Sequence, residues 1–140
     1  MMHSALVAGR TAVITGAASG IGLATAKKFT AMGMNVCITD ITDVALQAAA
    51  HEVNEAASPN SSVLSITADV SDSDTMITLA ATVRREFGDV AFLMNNAVTR
   101  IDARTWENAD AWNRTVAVNI MGVVNGVLAF APAMIQQSEP

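Results

Sequence analysis

Thr15-Gly16-Ala17-Ala18-Ser19-Gly20-Ile21-Gly22 is the stretch on which the reading turns. The short apolar run Ala12-Val13-Ile14 precedes it, and Leu23, Ala26, Phe29 and Met32 follow at helical spacing. Three glycines between a strand and a helix make a loop whose backbone can press against a phosphate. Gly16 permits a tight turn, Gly20 leaves room for close backbone approach, and Gly22 lets the helix pack near the strand. The helix then aims its free N–H groups and the positive end of its dipole at the anion. A glycine pattern alone is weak evidence. The strand–loop–helix context is what a dinucleotide site requires.

Working outward, apolar runs alternate with amphipathic ones. Strands are expected over Thr11–Thr15, Asn35–Thr39, Ser62–Thr67 and Val90–Asn95. Helices are expected over Gly20–Met32, Asp43–Ala57, Ser73–Phe87 and roughly Asn108–Gln137. Regular alternation of strand and helix predicts an α/β, doubly wound, Rossmann-type parallel sheet with helices on both faces. Right-handed crossovers give its four strands the order 3-2-1-4. Gly33 is expected to end the first helix, Asp43 to cap the second, and Asp72 or Ser71 the third. No linker or repeat divides the chain, so residues 1–140 read as one domain.

Bulk properties narrow the function. The 140 residues are 51% hydrophobic and 15% charged, which excludes disorder. A net charge of −5 argues against a nucleic-acid binder. The single cysteine, Cys37, lies in an expected strand and reads as a small buried hydrophobe. No signal peptide is evident, so a cytoplasmic protein is expected. Neither His3 nor His51 has a partner pattern for catalysis, and no metal site is expected. Trp106 and Trp112 read as packing residues.

The last segment carries no charge from Thr115 to Ser138. Asn119, Gly122, Asn125, Gly126 and Pro132 inside the run argue against a membrane span. A helix buried on two sides fits better. Trp112, Val116, Ile120, Val124, Val127, Ala131 and Met134 are expected to face the sheet. Val118, Met121, Leu128 and Ile135 then need a second cover, such as another subunit of a homo-oligomer.

Several polar residues fall at strand ends. Asp40 lies 18 residues beyond Gly22, near the spacing at which an acidic side chain meets an adenosine ribose. It would repel a 2′-phosphate, with Asp43 close by and no Arg or Lys near, so NAD is expected over NADP. Capping of the next helix is the plainer role. Asp69 can accept from an adenine amino group while Val70 packs beside the ring, or it can simply open the third helix. Asn95 and Asn96 can tie down loops or contact the ribose. Asn119 in the apolar helix can hold a water, kink the helix or make a helix–helix hydrogen bond, and its chemistry alone favours the last.

Together these residues resemble the short-chain dehydrogenase/reductase family. The matches are Thr15-Gly16-x-x-x-Gly20-Ile21-Gly22, Asp40, Asp69-Val70, Asn95-Asn96-Ala97 and Val118-Asn119-x-x-Gly122, in the family's order and at its spacing. The resemblance implies that Gly16, Ser19, Gly20, Ile21 and Gly22 bind the pyrophosphate of the dinucleotide. It assigns the ribose to Asp40 and the adenine to Asp69 and Val70. Asn95 and Ala97 would line the cofactor cleft, and Asn119 would match the family's catalytic helix Asn, which supports a proton relay. The implied reaction is hydride transfer between nicotinamide and an alcohol/carbonyl pair. Two departures stand out. Val98 replaces the family's usual Gly, and the family's catalytic Ser and Tyr-x-x-x-Lys find no match, the chain having no Tyr. The expectation is therefore the N-terminal part of an NAD-dependent oxidoreductase, incomplete at its C-terminus and inactive as written. It would meet a small alcohol or carbonyl substrate only within a complete parent enzyme. The alternative is a non-catalytic NAD-binding or subunit-interaction module.

Overall fold

Strand β1, Thr11–Thr15, is buried at all five positions, which places it at the centre of a sheet covered on both faces. The computed structural model describes residues 3–100 and 107–137. Four parallel strands lie in the order β3-β2-β1-β4, as the alternation predicts. β2 spans Asn35–Asp40, β3 Val63–Thr67 and β4 Val90–Met94. In register, Thr15 sits opposite Thr39, and Asp40 opposite Thr67. The C-terminal ends of β1, β2 and β3 therefore reach one edge together, where such sheets bind ligands.

The pleat divides the core into two. Ala12, Ile14, Val36 and Ile38 point to one face, against Ala26 and Phe29 of α1 (Gly20–Ala31) and Leu46 and Val53 of α2 (Asp43–Glu55). Phe29 meets Phe92 of β4 edge to face, with ring centroids 5.1 Å apart. Val13 and Cys37 point to the other face, against Met76, Leu79 and Val83 of α3 (Ser73–Phe87) and Val118 and Phe130 of the last helix. Each fully buried aliphatic side chain here contributes roughly 1.5–3 kcal/mol. Burial pushes the Cys37 thiol up to about 12, so it stays protonated and inert, as its place in a strand suggested.

Helix ends follow local chemistry with one correction. Gly33 follows α1 at φ +87°, and the Asp72 carboxylate caps α3 by accepting from the amides of Asp74 and Thr75. Thr42, not Asp43, occupies the N-cap position of the second helix, and its side chain makes no cap hydrogen bond. The Asp43 carboxylate instead accepts from the Thr67 hydroxyl at 2.9 Å, tying α2 to the end of β3.

The last helix is continuous over Ala109–Ile135. It comprises α4 (Ala109–Val116), a wider π turn over Ala117–Met121, and α5 (Gly122–Ile135). Its length and composition alone would let it cross a membrane. Here it lies against the sheet, on a different face from the expected one. Val118, Gly122, Asn125, Gly126 and Phe130 are buried, whereas Trp112, Val116, Ile120, Val124 and Val127 are all exposed by 39% or more. Trp112 is thus not the packing residue expected, and Trp106 lies outside the described residues. The reason is close approach. A Cβ on Gly122 would lie 2.7 Å from Val70 Cγ2, and one on Gly126 would collide with Asn95 Oδ1. The small residues let the helix backbone settle onto the β3 and β4 ends, and Asn125 donates to the Val70 carbonyl at 2.9 Å. The larger aliphatics turn outward, where Met121, Leu128 and Ile135 were expected and are found.

Gly122→Val is expected to destabilise the chain by about 1–3 kcal/mol, because it overpacks against Val70. The outward neighbour change Val123→Ala is expected to stay within about 0.5 kcal/mol. Urea unfolding followed by circular dichroism checks both.

Candidate functional site

The glycine loop is held from three sides. Ala17 N–H donates to the Thr39 carbonyl at 3.1 Å, and Ala18 N–H donates to Asp40 Oδ2 at 3.2 Å. Asn96 Nδ2 donates to the carbonyls of Thr15 and Gly16, both at 3.0 Å. The Thr15 hydroxyl accepts from the amides of Asn96 and Ala97, each at 3.0 Å. Gly16 has φ +64°, and a Cβ there would sit 2.6 Å from Ala97 Cα, so only glycine fits. Gly20, at φ +57°, differs: a Cβ would meet nothing within 4 Å. Open space thus lies at the mouth of α1. Ser19 makes no side-chain cap there, which leaves the first-turn amides available to a ligand. Ile21 beside them is 73% exposed. Free amides, a helix dipole and room for approach fit an anion such as a pyrophosphate.

A cavity of about 150 Å³ runs from this loop along the sheet edge. Gly16, Asp40 and Ile41 line one end, Asp69 and Arg114 contribute charge, and Ala68, Val70, Ala97, Val98 and Val118 supply apolar wall. Asp40 Oδ1 also accepts from the Ile41 amide at 2.8 Å. Asp69 Oδ1 accepts from Ser71 N–H at 2.9 Å and the Ser71 hydroxyl at 2.6 Å. Asp69 Oδ2 pairs with Arg114 Nη1 at 3.1 Å. This corrects the expectation that no cation lies near Asp40, since Arg114 lines the same cavity. Sequence reasoning missed it because a single Arg on α4, 45 residues from Asp69, carries no spacing signal.

The asparagines divide their work. Asn96 ties the glycine loop. Asn95 is not among the residues lining the cavity; its amide lies against Gly126 of α5. Among the described residues Asn119 makes no helix–helix bond. Its Oδ1 accepts from Thr99 N–H at 2.8 Å and its Nδ2 donates to the Thr99 carbonyl at 3.0 Å. It sits within the π turn, a feature frequent at functional sites, and it fixes the segment after β4. Val98, where the resemblance expects Gly, is 66% exposed at the cavity wall. Among the described residues no cluster of three His, Cys, Asp or Glu could hold a metal.

Comparison with known proteins agrees with this geometry. The family described as short chain dehydrogenase matches residues 10–139. A curated relative, an uncharacterized short-chain type dehydrogenase/reductase of Sinorhizobium fredii, is 38% identical over 94% of this chain and 52% of its own length. A short-chain dehydrogenase/reductase from Burkholderia phymatum, solved in complex with NAD, superposes with a TM-score of 0.88 at 36% identity, over 96% of this chain and 47% of its own. The L-sorbose reductase of Gluconobacter frateurii, solved with NADPH and L-sorbose, gives 0.81 at 29% identity, over 91% and 48%. The chain spans about half the length of these proteins.

Partial burial raises the Asp69 carboxyl, but the hydrogen bonds from Ser71 and the Arg114 guanidinium together outweigh it and hold it below the usual 3.8. Because the folded value is depressed, the stabilisation is present above the unfolded value and is lost as pH falls through the folded one. Arg114→Met is expected to raise the Asp69 titration midpoint and to move acid unfolding to higher pH. Carboxylate carbon chemical shifts followed against pH measure the first effect.

Proposed function

The chain belongs to the short chain dehydrogenase family, and on that premise we propose that its 140 residues hold the adenosine side of an NAD site in an oxidoreductase acting on an alcohol/carbonyl pair. In this reading the loop from Gly16 to Gly22, with Ser19 and Ile21, receives the pyrophosphate. Asp40 receives the ribose hydroxyls, and Asp69 and Val70 receive the adenine. Ala97 borders the cleft in the turn after β4, and Asn95 backs that turn against α5. Asn119 fixes Thr99 beside it and serves the proton relay of the complete enzyme. When bound, the nicotinamide supplies the hydride acceptor. The 140 residues contain no Tyr, so this stretch offers none to act as general acid/base. It binds nucleotide, and turnover belongs to the complete enzyme, in the cytoplasm.

The observation that carries the reading is the Asp40 carboxylate, bonded to Ala18 of the glycine loop and lining the same cavity. A carboxylate at that place accepts from ribose hydroxyls and repels a 2′-phosphate. Juxtaposed like charges cost a few kcal/mol. Arg114 does not reverse this, because it is paired with Asp69 at the other acidic group of the cavity. Calorimetric titration is expected to show ADP-ribose binding at least about tenfold tighter than its 2′-phosphate form. Asp40→Ala should narrow the gap. Equal binding of the two by the unmutated chain overturns the assignment of Asp40. With NAD and a panel of secondary alcohols, the same preparation is expected to give no NADH fluorescence above background.

A second reading rests on the outward face of the last helix, where Ile120, Val124, Val127 and Leu128 are exposed. A contiguous apolar face of this kind promotes association, so we place a homo-oligomer contact there. Sedimentation velocity is expected to show species larger than a monomer, and Val127→Glu with Leu128→Glu to shift them toward the monomer.

A further inference from the structure

Resting on the adenosine-site reading above, we propose that Val98 is a further ligand-binding residue, whose isopropyl group packs on the nucleoside and supplies apolar contact that the rest of the cleft wall cannot. The apolar gain on binding scales with the area a ligand removes from water. Most of the wall has little such area left. Ala68, Val70 and Val118 are already buried by the protein, with 7% exposure or less, and Ala97 is half-buried. Of the aliphatic residues lining the cavity, only Val98, at 66%, and Ile41, at 52%, remain exposed. Ile41 follows β2 and Val98 follows β4, so the two flank the glycine loop that follows β1 between them. Val98 is also held in place. On one side the Ala97 amide donates to the Thr15 hydroxyl at 3.0 Å. On the other, both backbone groups of Thr99 are bonded to the Asn119 side chain, at 2.8 and 3.0 Å. None of the described non-glycine residues has a positive φ, so Val98 carries its Cβ without backbone strain. A β-branched side chain is stiff at χ1, so little freedom is lost when a ligand packs against it. A glycine at this turn would let a ligand approach the backbone, whereas valine holds it off and offers carbon. Carbon suits the C–H face of a ribose or the flat face of a base. A phosphate oxygen there would lose hydration without gaining a donor.

The test is calorimetric titration of the whole chain with ADP-ribose, unmutated and as Val98→Ala. Alanine removes two methyl groups but adds none of the backbone freedom that glycine would. Val98→Ala is expected to weaken binding about three- to tenfold, the effect of exposing apolar groups that the ligand otherwise covers. The heat-capacity change of binding, the marker of buried apolar surface, should become less negative in the same variant. Urea unfolding of the ligand-free chain should be unaltered, because an exposed side chain contributes little to folding. An unchanged affinity or an unchanged heat-capacity change overturns the proposal, while ADP-ribose binding by both proteins would still support the adenosine site. A loss of stability in ligand-free Val98→Ala overturns it equally, since it would show the side chain already buried before any ligand arrives. If the unmutated chain does not bind ADP-ribose, the adenosine site itself fails and the role of Val98 with it.

Discussion

Asn96 joins the end of β4 to the first turn of the glycine loop through one amide group. Its Nδ2 satisfies the carbonyls of Thr15 and Gly16, while its own backbone N–H is satisfied by the Thr15 hydroxyl. Two strands and a loop are thereby set at fixed spacing. Gly16 lies so close to Ala97 that no side chain fits between them, and Gly22 is equally close to the Asn96 amide. The path of the loop, the entry angle of α1 and the open space at Gly20 all depend on that approach. Without the amide, two carbonyls at the sheet edge would lose their partners, at a cost of about 1–3 kcal/mol each if they stayed buried.

The fold was legible because its signals are local and periodic. The apolar run before Gly16, the glycine at Gly33 and the cap at Asp72 each state an element boundary, and β1 and α3 agree residue for residue with expectation. Parallel order followed from strand–helix alternation. The glycine loop and the strand-end carboxylates were legible as candidates, since their spacing along the chain reflects their meeting at one sheet edge.

The errors lie where tertiary contact outweighed pattern. The last helix is apolar nearly all round, so periodicity could not choose its buried face. Gly122 and Gly126 chose it, because absence of a side chain permits the closest packing, and a hydrophobicity count gives glycine little weight. Arg114 was invisible for a related reason: its partner is distant in sequence and its own surroundings are unremarkable. The chemistry of Asn119 alone favours a helix–helix bond over its other possible roles, whereas its partner is the backbone of Thr99, which any residue can offer. Asp43 was read as a cap, whereas a neighbouring strand end supplied a better-placed hydroxyl.

Val70 is held from behind by α5. Gly122 presses on its side chain and Asn125 holds its carbonyl, while the same residue forms part of the cavity wall. No compressible layer separates helix from wall, because the contact is backbone to side chain with no intervening residue. The helix and the nucleotide cleft therefore share a single stiff partition. Any load on the outer surface of α5 is felt inside the cleft, and the tolerance of the cleft for ligands of different thickness is set by how firmly that helix is backed.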